Sequence, residues 1–508
     1  MTRVTHVTLA MAALLAAAGC GSDYAPPADV TTGVPAGALD RVYDVDVDLP
    51  HVVFDGGRRV GVRLDLVLRV DTFGPGRHVA RVAHRGARVA GEPEPVTSLG
   101  AGTTTLIDAG GLFETGRIGP VQVAGVSFEY VLRGTQSPGG WQASGEALES
   151  QTALGGRFDA WRRRRLLVAS TDFSPAGSVD RVSFERDAAV AVETDLARAS
   201  ADPFLRATGG AVFLVNRLSF DNVARLDPER GFAIAWQAGV GAGANPHDVL
   251  LVGPDRAFVT RYEPPFDDVL VIDPRGGGAR GTIDLAPLAE NPDGTPRPDR
   301  MRAAAGLVFV GLQDIDRTFT RWADGKLAAI DPATEQVVGV VRLPGRNPGT
   351  IERLVEPDGR ERLYVALGGI FPGLLPQELS GGVAVVDPAN LAFERWALDD
   401  DDAGGNVGAL ALARPDLGYV VVSDAAFRNR VLAFDPRDGT VLRTVWETAD
   451  FVPELEVLGG GLLAIPDRSF AAPRVCLYRI PPPGATTAET AAGCGALRRG
   501  PFSLEALD

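Results

Sequence analysis

The second half of the chain repeats one pattern of apolar and polar positions. An apolar strand ends in Asp-Pro and a second alternating strand follows, as in GKLAAIDPATEQVVGVVRLP from Gly325 to Pro344. The aspartates of five such pairs recur every 46 to 58 residues, at Asp227, Asp273, Asp331, Asp387 and Asp435. Proline fixes a turn dihedral, and aspartate bonds the backbone two residues on, so the pair predicts the turn between two strands. This repeat length is typical of a four-stranded propeller blade.

Each Asp-Pro strand follows an apolar strand of similar make, such as VFVGLQ (Val308 to Gln313) or LYVALG (Leu363 to Gly368). Two weaker copies flank the five, LLVAST at Leu166 and LLAIPD at Leu462, which brings the number of units to seven. Within a unit we expect an inner strand, the apolar strand, the Asp-Pro strand and an outer strand. We therefore predict an all-β protein in which residues 155–481 form a seven-bladed β-propeller.

Residues 39–154 alternate apolar and polar positions without the Asp-Pro pair. Runs such as VGVRLDLVLRV (Val60 to Val70) and VQVAGVSFEYVL (Val121 to Leu132) are separated by clusters of Gly, Pro and Asp. Alternation with period two indicates half-buried strands with one solvated face. We predict that a small antiparallel β-sandwich precedes the propeller.

The N-terminus combines Arg3, an apolar run from Leu9 to Ala18, and small residues before Cys20. These are the features of an export signal. The pattern resembles a bacterial lipoprotein signal, which implies that residues 1–19 are removed and that Cys20 carries the lipid anchor. An ordinary secretory signal or a short buried helix is the alternative. Residues 20–38 are small and Pro-bearing, which predicts a tether.

The propeller repeats carry a second resemblance. Units of the form LYVALG followed by VAVVDP resemble the YVTN family of bacterial β-propellers, and the stretch from Gly243 to Pro274 is similar to propeller-bearing surface lipoproteins of deltaproteobacterial type. The resemblance implies a membrane partner through the lipid anchor and a location at the outer membrane or cell surface, and Gly21 after the cysteine agrees with it. Such repeats specify a fold and hardly any activity.

Charge and missing motifs narrow the functional classes. The formal net charge of −15 repels a phosphate backbone, so we expect no nucleic-acid partner. The chain has no Gly-x-Ser-x-Gly, His-Glu-x-x-His, Walker or Cys-x-x-Cys-His motif. Hydrolases, zinc peptidases, NTPases and cytochromes therefore lose their usual sequence support.

Two cysteines remain besides Cys20, namely Cys476 and Cys494. Disulfides persist in the compartments that an export signal implies. We expect the two to pair and to clip a C-terminal tail, residues 482–508, to the last blade; two separate thiols are the alternative. Closing such a loop stabilises a fold by about 3 kcal/mol.

Two adjacent units carry enlarged hairpins, Gln313 to Gly325 and Gly368 to Gly382. In a propeller, these hairpins emerge on the face that also carries the connections between blades. We predict that this face binds a partner through exposed apolar loop residues. The alternative is that the apolar residues fold back as a local cap. The candidate residues on this face are Asn245, His247, Asp248, Phe319, Trp322, Phe371, Leu374 and Leu375.

Two further features could carry chemistry. His247 is the one histidine of residues 155–481. We expect it to have a structural role at a blade junction, since the sequence places no second histidine or acid beside it. Asp399 to Asp402 offers carboxylates to a divalent cation such as calcium. It lacks alternating ligand spacing, so we expect a solvated acidic turn and no cofactor.

These observations favour a non-catalytic, lipid-anchored binding or scaffold module whose partner is an envelope protein or polysaccharide. The alternative is a metal-dependent propeller enzyme of the lactonase or sugar-dehydrogenase type. Inner-strand acids, Asn or His247 would be the metal ligands, and convergence of Asp248, Asp424 or Asp467 with Asn245 on the central channel would favour this alternative. A third hypothesis is a structural envelope protein that binds no specific ligand.

Overall fold

The computed structural model describes residues 41–53, 59–71, 78–90, 101–107, 111–123, 126–136, 142–149, 155–174, 176–184, 190–218, 220–459, 461–485 and 487–507. The predicted signal peptide, Cys20 and the predicted tether lie outside these residues. Within the described ranges, no helix combines the length and the apolar character that crossing a membrane requires. The chain folds as two compact units, a β-barrel and a β-propeller.

The first unit is a single antiparallel sheet. Its strands are β1 (Arg41–Val53), β2 (Arg59–Asp71), β3 (His78–Val89), β4 (Ala101–Ile107), β5 (Leu112–Thr115), β6 (Ile118–Val123), β7 (Val126–Gln136), β8 (Gln142–Glu149) and β9 (Gly155–Arg162). The sheet order is β5-β4-β3-β2-β1-β9-β8-β7-β6, and β5 also pairs with β7, so eight strands close into a barrel. Apolar residues at alternate positions, such as Leu64, Leu66 and Leu68, are buried in one core, because side chains alternate across a strand.

The sandwich that we predicted for residues 39–154 is not confirmed, although the antiparallel strands are present. The pairing of β5 with β7 closes one sheet instead of leaving two sheets to pack face to face. The sheet also extends beyond residue 154, because β9 pairs with both β1 and β8. Sandwiches and barrels both need one apolar face per strand, so alternation alone does not distinguish them.

The second unit contains the remaining strands. They are β10 (Arg164–Ser170), β11 (Gly177–Phe184), β12 (Val190–Ala199), β13 (Pro203–Thr208), β14 (Ala211–Asn216), β15 (Asn222–Asp227), β16 (Ala233–Gly239), β17 (Pro246–Gly253), β18 (Arg256–Arg261), β19 (Asp268–Ile272), β20 (Ala279–Asp284), β21 (Pro298–Ala304), β22 (Leu307–Leu312), β23 (Lys326–Asp331), β24 (Gln336–Arg342), β25 (Pro348–Val355), β26 (Glu361–Leu367), β27 (Gly382–Asp387), β28 (Ala392–Asp399), β29 (Asn406–Arg414), β30 (Leu417–Ser423), β31 (Asn429–Phe434), β32 (Val441–Thr448), β33 (Glu456–Leu458), β34 (Leu462–Asp467), β35 (Arg474–Arg479), β36 (Thr490–Ala496) and β37 (Pro501–Ala506). Short helical turns lie at Pro228–Arg230, Ala286–Leu288 and α1 (Asp400–Ala403).

These strands form seven four-stranded sheets, and the seven-bladed propeller is confirmed. From the channel outward, six blades follow chain order, beginning with β13-β14-β15-β16 and ending with β33-β34-β35-β36. The predicted order of inner, apolar, Asp-Pro and outer strand is therefore correct. Each blade buries its middle strands between neighbours, as Phe213, Phe258 and Phe309 show.

The ring is closed by a strand from the far end of the chain. The first blade has the order β37-β10-β11-β12, so its inner strand comes from Pro501–Ala506. Residues 482–508, which we predicted to be a clipped tail, supply this strand and also β36, the outer strand of the last blade. The predicted disulfide between Cys476 and Cys494 is confirmed, and it joins directly opposed residues of β35 and β36.

The Asp-Pro pairs occupy the turns between the third and outer strands, as predicted. The Oδ1 atoms of four of these aspartates accept a hydrogen bond from the backbone N–H two residues on. The distances are 3.0 Å at Asp273, 2.8 Å at Asp331, 2.9 Å at Asp387 and 3.0 Å at Asp435. The opposite ends of the strands carry both the hairpins between second and third strands and the connections between blades. We call this end of the propeller the loop-bearing face.

Candidate functional site

The first enlarged hairpin folds onto itself. Ile315 is buried and pairs with Trp322 across the hairpin. The carboxylate of Asp316 accepts hydrogen bonds from the backbone of Thr320, at 2.8 Å, and of Arg321. Phe319 and Trp322 are only half-buried, but Phe319 is covered by the guanidinium of Arg297, 4.6 Å from its ring centre.

The second enlarged hairpin does not expose the apolar run that we predicted. Ile370 is buried and pairs with Glu378, and Phe371 and Leu375 are half-buried. Only Leu374 is well exposed, at 71%. The alternative of a local cap is therefore correct for most of this hairpin. A binding role for the candidate residues on the two hairpins stays a prediction.

Exposed aromatic rings lie on the same face in other blades. Phe173, Phe220 and Phe470 are in the hairpins between second and third strands of the first, second and seventh blades, and Phe451 is in the connection before the seventh. Their exposed fractions are 44% for Phe173, 45% for Phe220, 55% for Phe451 and 99% for Phe470. The seventh, first and second blades are neighbours in the closed ring. These exposed rings thus occupy one sector of the loop-bearing face.

A half-buried ring, Phe502, joins two of these phenylalanines. Its centre lies 5.6 Å from that of Phe173, in an edge-to-face arrangement, and 6.4 Å from that of Phe451. Arg468 lies over Phe173 at 4.8 Å and donates hydrogen bonds to backbone carbonyls of Gly500 and Thr171. We call Phe173, Phe220, Phe451, Phe470 and Phe502 the aromatic patch.

Sequence reasoning missed this patch, although a signal exists. In each case an isolated phenylalanine directly follows Ser or Asp in a polar loop. The four dipeptides are Asp172-Phe173, Ser219-Phe220, Asp450-Phe451 and Ser469-Phe470. Single aromatic residues in loops give a weaker sequence signal than the apolar run of the second hairpin. In addition, Phe173 and Phe470 belong to neighbouring blades only because the ring closes.

A charged cavity of about 120 Å³ lies among the inner strands of the propeller. Its charged lining residues are Arg206, Arg300, Arg302, Glu352, Glu454, Glu456 and Glu505. Burial raises the pKa of Glu454 and Glu456, and it raises the pKa of Glu505 to about 8. For Glu456 and Glu505, repulsion from neighbouring carboxylates adds to this effect, because like charges in a confined space disfavour ionisation.

The arginines of this cavity have defined partners. Arg206 holds Asp248 in a bidentate ion pair, with N–O distances of 2.9 and 2.6 Å, and Arg302 pairs with Glu352. Arg300 lies 3.5 Å from the ring centre of Phe204 and donates a hydrogen bond to the backbone oxygen of His247.

The metal ligands of our alternative hypothesis are engaged in contacts of their own. Asp248 is completely buried in its ion pair with Arg206, and Asn245 accepts a hydrogen bond from the backbone of Leu218. Asp424 accepts bonds from backbone N–H groups of its own loop, and Asp467 pairs with Arg474. The structure thus gives each of the four residues its own local partners.

Among the described residues, one group of three carboxylates is close enough to share an ion, namely Asp399, Asp400 and Asp401. Asp399 caps the first turn of α1 by accepting a hydrogen bond from the backbone of Asp401. Asp400 is buried and accepts one from the backbone N–H of Gly381, and burial raises its pKa to about 6. These contacts are those of a helix cap, so Asp399 and Asp400 have a structural role that needs no ion.

His247 lies near the loop-bearing end of the channel and has an acidic partner. It is the first residue after the proline that begins β17, and Asp299 is the first residue after the proline that begins β21. Its Nδ1 lies 2.7 Å from Oδ1 of Asp299. Adjacent inner strands start at the same level of the ring, so equivalent positions face each other. The sequence alone did not place this acid beside His247, and the expected structural role of the histidine stays a prediction.

Two further side chains complete this cluster. Gln313, from the first enlarged hairpin, donates from Nε2 to Oδ2 of Asp299 at 3.0 Å and accepts from the hydroxyl of Tyr262 at 2.7 Å. The Tyr262 ring stacks on the imidazole of His247 with a centre distance of 4.0 Å and an angle of 1°. The imidazole is therefore fixed both in its plane and against its face.

Burial lowers the pKa of His247, and the positive charges of Arg217 and Arg300 lower it further, against the opposing effect of Asp299. Burial alone would raise the pKa of Asp299, but the hydrogen bond from His247 and the nearby arginines hold it below its usual value. At neutral pH the cluster therefore contains a neutral imidazole and an ionised carboxylate.

Comparison with known proteins shows no family for the chain. No family model matches the chain, and no curated protein matches it. Among solved structures, the chain is similar to Kuenenia stuttgartiensis hydrazine synthase (15% identity, TM-score 0.41, covering 55% of this chain and 76% of that one). It is also similar to the dihydro-heme d1 dehydrogenase NirN (14%, 0.43, 68% and 75%) and to the Dos1 propeller (10%, 0.36, 65% and 72%).

Proposed function

We propose that the protein is a lipid-anchored binding module of the outer membrane or cell surface, and that its loop-bearing face holds an envelope protein or polysaccharide. The aromatic patch is the observation that carries the proposal. Soluble surfaces seldom gather large exposed rings in one sector unless they bind something. Phenylalanine rings bury much area at little conformational cost, and they pack on apolar side chains and on the apolar faces of sugars.

The location is supported by the sequence alone. The export signal and Cys20 resemble a lipoprotein signal, and the disulfide between Cys476 and Cys494 fits a compartment in which thiols are oxidised. A short tether, residues 20–38, would keep the folded part within a few nanometres of the membrane, at about 3 Å per residue of extended chain.

Site-specific photocrosslinking in intact cells tests the proposal. A photoreactive side chain replaces Phe470, which is the most exposed ring, and a control replaces Val338, which is 51% exposed on the outer strand β24. We expect a discrete adduct from position 470 and none from position 338. Cys20→Ser should move the protein from the membrane fraction to the soluble fraction.

The second control lies on the same face. Leu374 is 71% exposed on the second enlarged hairpin, outside the aromatic patch. An adduct from position 374 equal to that from 470 would mean that the patch has no special role. No adduct from any position of the face, or membrane association of Cys20→Ser, would contradict the corresponding half of the proposal.

A further inference from the structure

We infer that His247 and Asp299 form a general-base dyad that hydrolyses small carboxylic esters, lactones included, at the loop-bearing end of the channel. The inference goes beyond the proposed binding function and does not depend on it. It rests on the geometry of the cluster, on the ring nitrogen of His247 that has no hydrogen-bond partner among the described residues, and on two arginines whose charges act on the imidazole.

The hydrogen bonds of the cluster select one tautomer. Asp299 is ionised and can only accept, so the Nδ1 atom of His247 carries the proton in their 2.7 Å contact. The lone pair of the neutral ring is then on Nε2. Gln313 and Tyr262 fix the carboxylate and the ring from outside, and such supporting contacts keep a catalytic group within the narrow range of productive orientations.

Nε2 of His247 has no hydrogen-bond partner among the described residues, yet it is not among their buried unpartnered atoms. The side chain keeps 13% of its surface accessible. The open Nε2 is placed where it can accept a proton from water.

Two arginines lie close enough to His247 for their charges to act on its imidazole. Arg300 is anchored to the backbone oxygen of His247. Arg217 donates to Asp202 through Nη2, and its buried Nε has no hydrogen-bond partner in the described part of the chain. Both positive charges act on the imidazole. Positive charge in the surroundings of the imidazole would also favour the negative charge that develops on a carbonyl oxygen under attack.

The reaction is balanced without any group outside the protein, water and the ester. Nε2 of His247 takes a proton from a water molecule, whose oxygen forms a bond to the acyl carbon. The carbonyl electron pair moves to its oxygen near the arginines and returns as the bond to the alcohol oxygen breaks. The imidazolium then gives its proton to that oxygen, so the products are the carboxylic acid and the alcohol.

The test uses the purified full chain with p-nitrophenyl acetate and with δ-valerolactone. We expect His247→Gln to lower kcat by about 10² to 10⁴-fold, with little change in KM, as for loss of a general base. Asp299→Asn should lower kcat as well. The matched control is His84→Gln, in the barrel, where Nε2 already contacts the hydroxyl of Tyr130; this variant should keep the wild-type rate.

The pH profile separates catalysis from a structural role. The groups that face the imidazole are Asp299, Tyr262, Arg217 and Arg300. Burial and the charges of the two arginines lower the pKa of His247 from its usual 6.5, and Asp299 opposes this shift without cancelling it. The rate should therefore rise to a plateau with a midpoint below pH 6.5. If His247 had only a structural role, its replacement would lower the melting temperature, but the pH profile of the wild-type rate would not have its midpoint at the pKa of His247.

A second measurement keeps the inference testable if His247→Gln does not fold. Diethyl pyrocarbonate acylates accessible imidazole nitrogens, so wild-type activity should fall in proportion to modification of His247, followed by peptide mass. Activity that survives complete modification of His247 would overturn the inference. So would a wild-type rate no higher than that of free imidazole at equal concentration. Neither result would affect the crosslinks expected at position 470.

Discussion

Lys326 shows how one residue can support a whole hairpin. It is the chain's one lysine, is 2% exposed, and forms an ion pair with the fully buried Asp314 at the base of the first enlarged hairpin. Asp314 also accepts hydrogen bonds from the backbone N–H groups of Glu290 and Asn291. The hairpin that carries Gln313 to the His247 cluster is thus fixed by a charge pair that water does not reach.

Replacing Lys326 by Met should therefore destabilise the propeller by about 3 to 5 kcal/mol, because it leaves the buried carboxylate of Asp314 without its counter-ion. Chemical unfolding measures the change. The matched control is Arg342→Met, whose side chain is 72% exposed and pairs with Glu290 at the surface. We expect it to cost about 0 to 1 kcal/mol. Equal effects of the two variants would contradict this account.

Glu505 supports a prediction about pH. Burial in the cavity raises its pKa to about 8. A carboxyl group whose pKa is raised on folding favours the folded state below the unfolded pKa, and this advantage is lost as the pH rises through the folded pKa. Glu505→Gln, which cannot ionise, should match the wild type near pH 4 and exceed its unfolding free energy by more than about 1 kcal/mol near pH 9.

Thermal and urea unfolding at both pH values measure this difference. The neighbouring Glu454 and Glu456, with raised pKa values of the same sign, should make the wild-type propeller itself less stable near pH 9 than near pH 5. A Gln variant that is destabilised to the same extent at both pH values would mean that Glu505 contributes through packing and not through its charge.

At the residue scale, the sequence identified His247 but not its partner. Asp299 lies 52 residues away, and only the equivalence of Pro246-His247 and Pro298-Asp299 at the starts of adjacent inner strands predicts their contact. Aligning the blades at these prolines would have found the pair. The exposure of the hairpin residues could not be found in this way, because it depends on how each loop packs back on its blade.

At the element scale, the strands and turns of the propeller were predictable because each blade repeats the same pattern of apolar strands and turn residues. The Asp-Pro turns, the strand order and the disulfide follow from short-range pattern and spacing. The barrel differs because its closure is decided by β5 and β7, where Leu112, Phe113 and Glu114 pair with Thr135, Gly134 and Arg133. A pairing of three residues is too short to leave a pattern in the sequence.

The inner strand of the first blade gives an element-scale prediction. β37 pairs with β10, and the hydroxyl of Ser503 accepts a hydrogen bond from the backbone N–H of Leu205 in the next inner strand. Deleting residues 501–508 leaves an open strand edge in the first blade. We expect fast amide hydrogen exchange at Leu166 to Ser170 and loss of a cooperative unfolding transition.

A synthetic peptide of residues 501–508 provides the control for this deletion. Added in excess, it should restore slow exchange, because an extended peptide can complete a sheet through backbone hydrogen bonds alone. Slow exchange in the truncated protein without peptide would show that the first blade is stable with three strands.

At the scale of the whole molecule, the aromatic patch, the charged cavity and the His247 cluster all belong to one rigid ring. The patch uses loops of the seventh, first and second blades, whereas the cluster uses inner strands of the third and fourth. The binding and the hydrolysis that we propose should therefore be separable by mutation, because they use different blades of the ring.

The closing strand, β37, also determines when the propeller can complete its fold. The innermost layer of the ring is complete only when the backbone N–H of Leu205 can bond the hydroxyl of Ser503, which lies 298 residues further along the chain. Contacts this distant in sequence form late, since the intervening chain must first be ordered. In the export that we propose, the ring therefore cannot close until its last strand has left the translocation pore. The strand that completes the first blade of the folded protein is also the last strand of the ring to become available for folding.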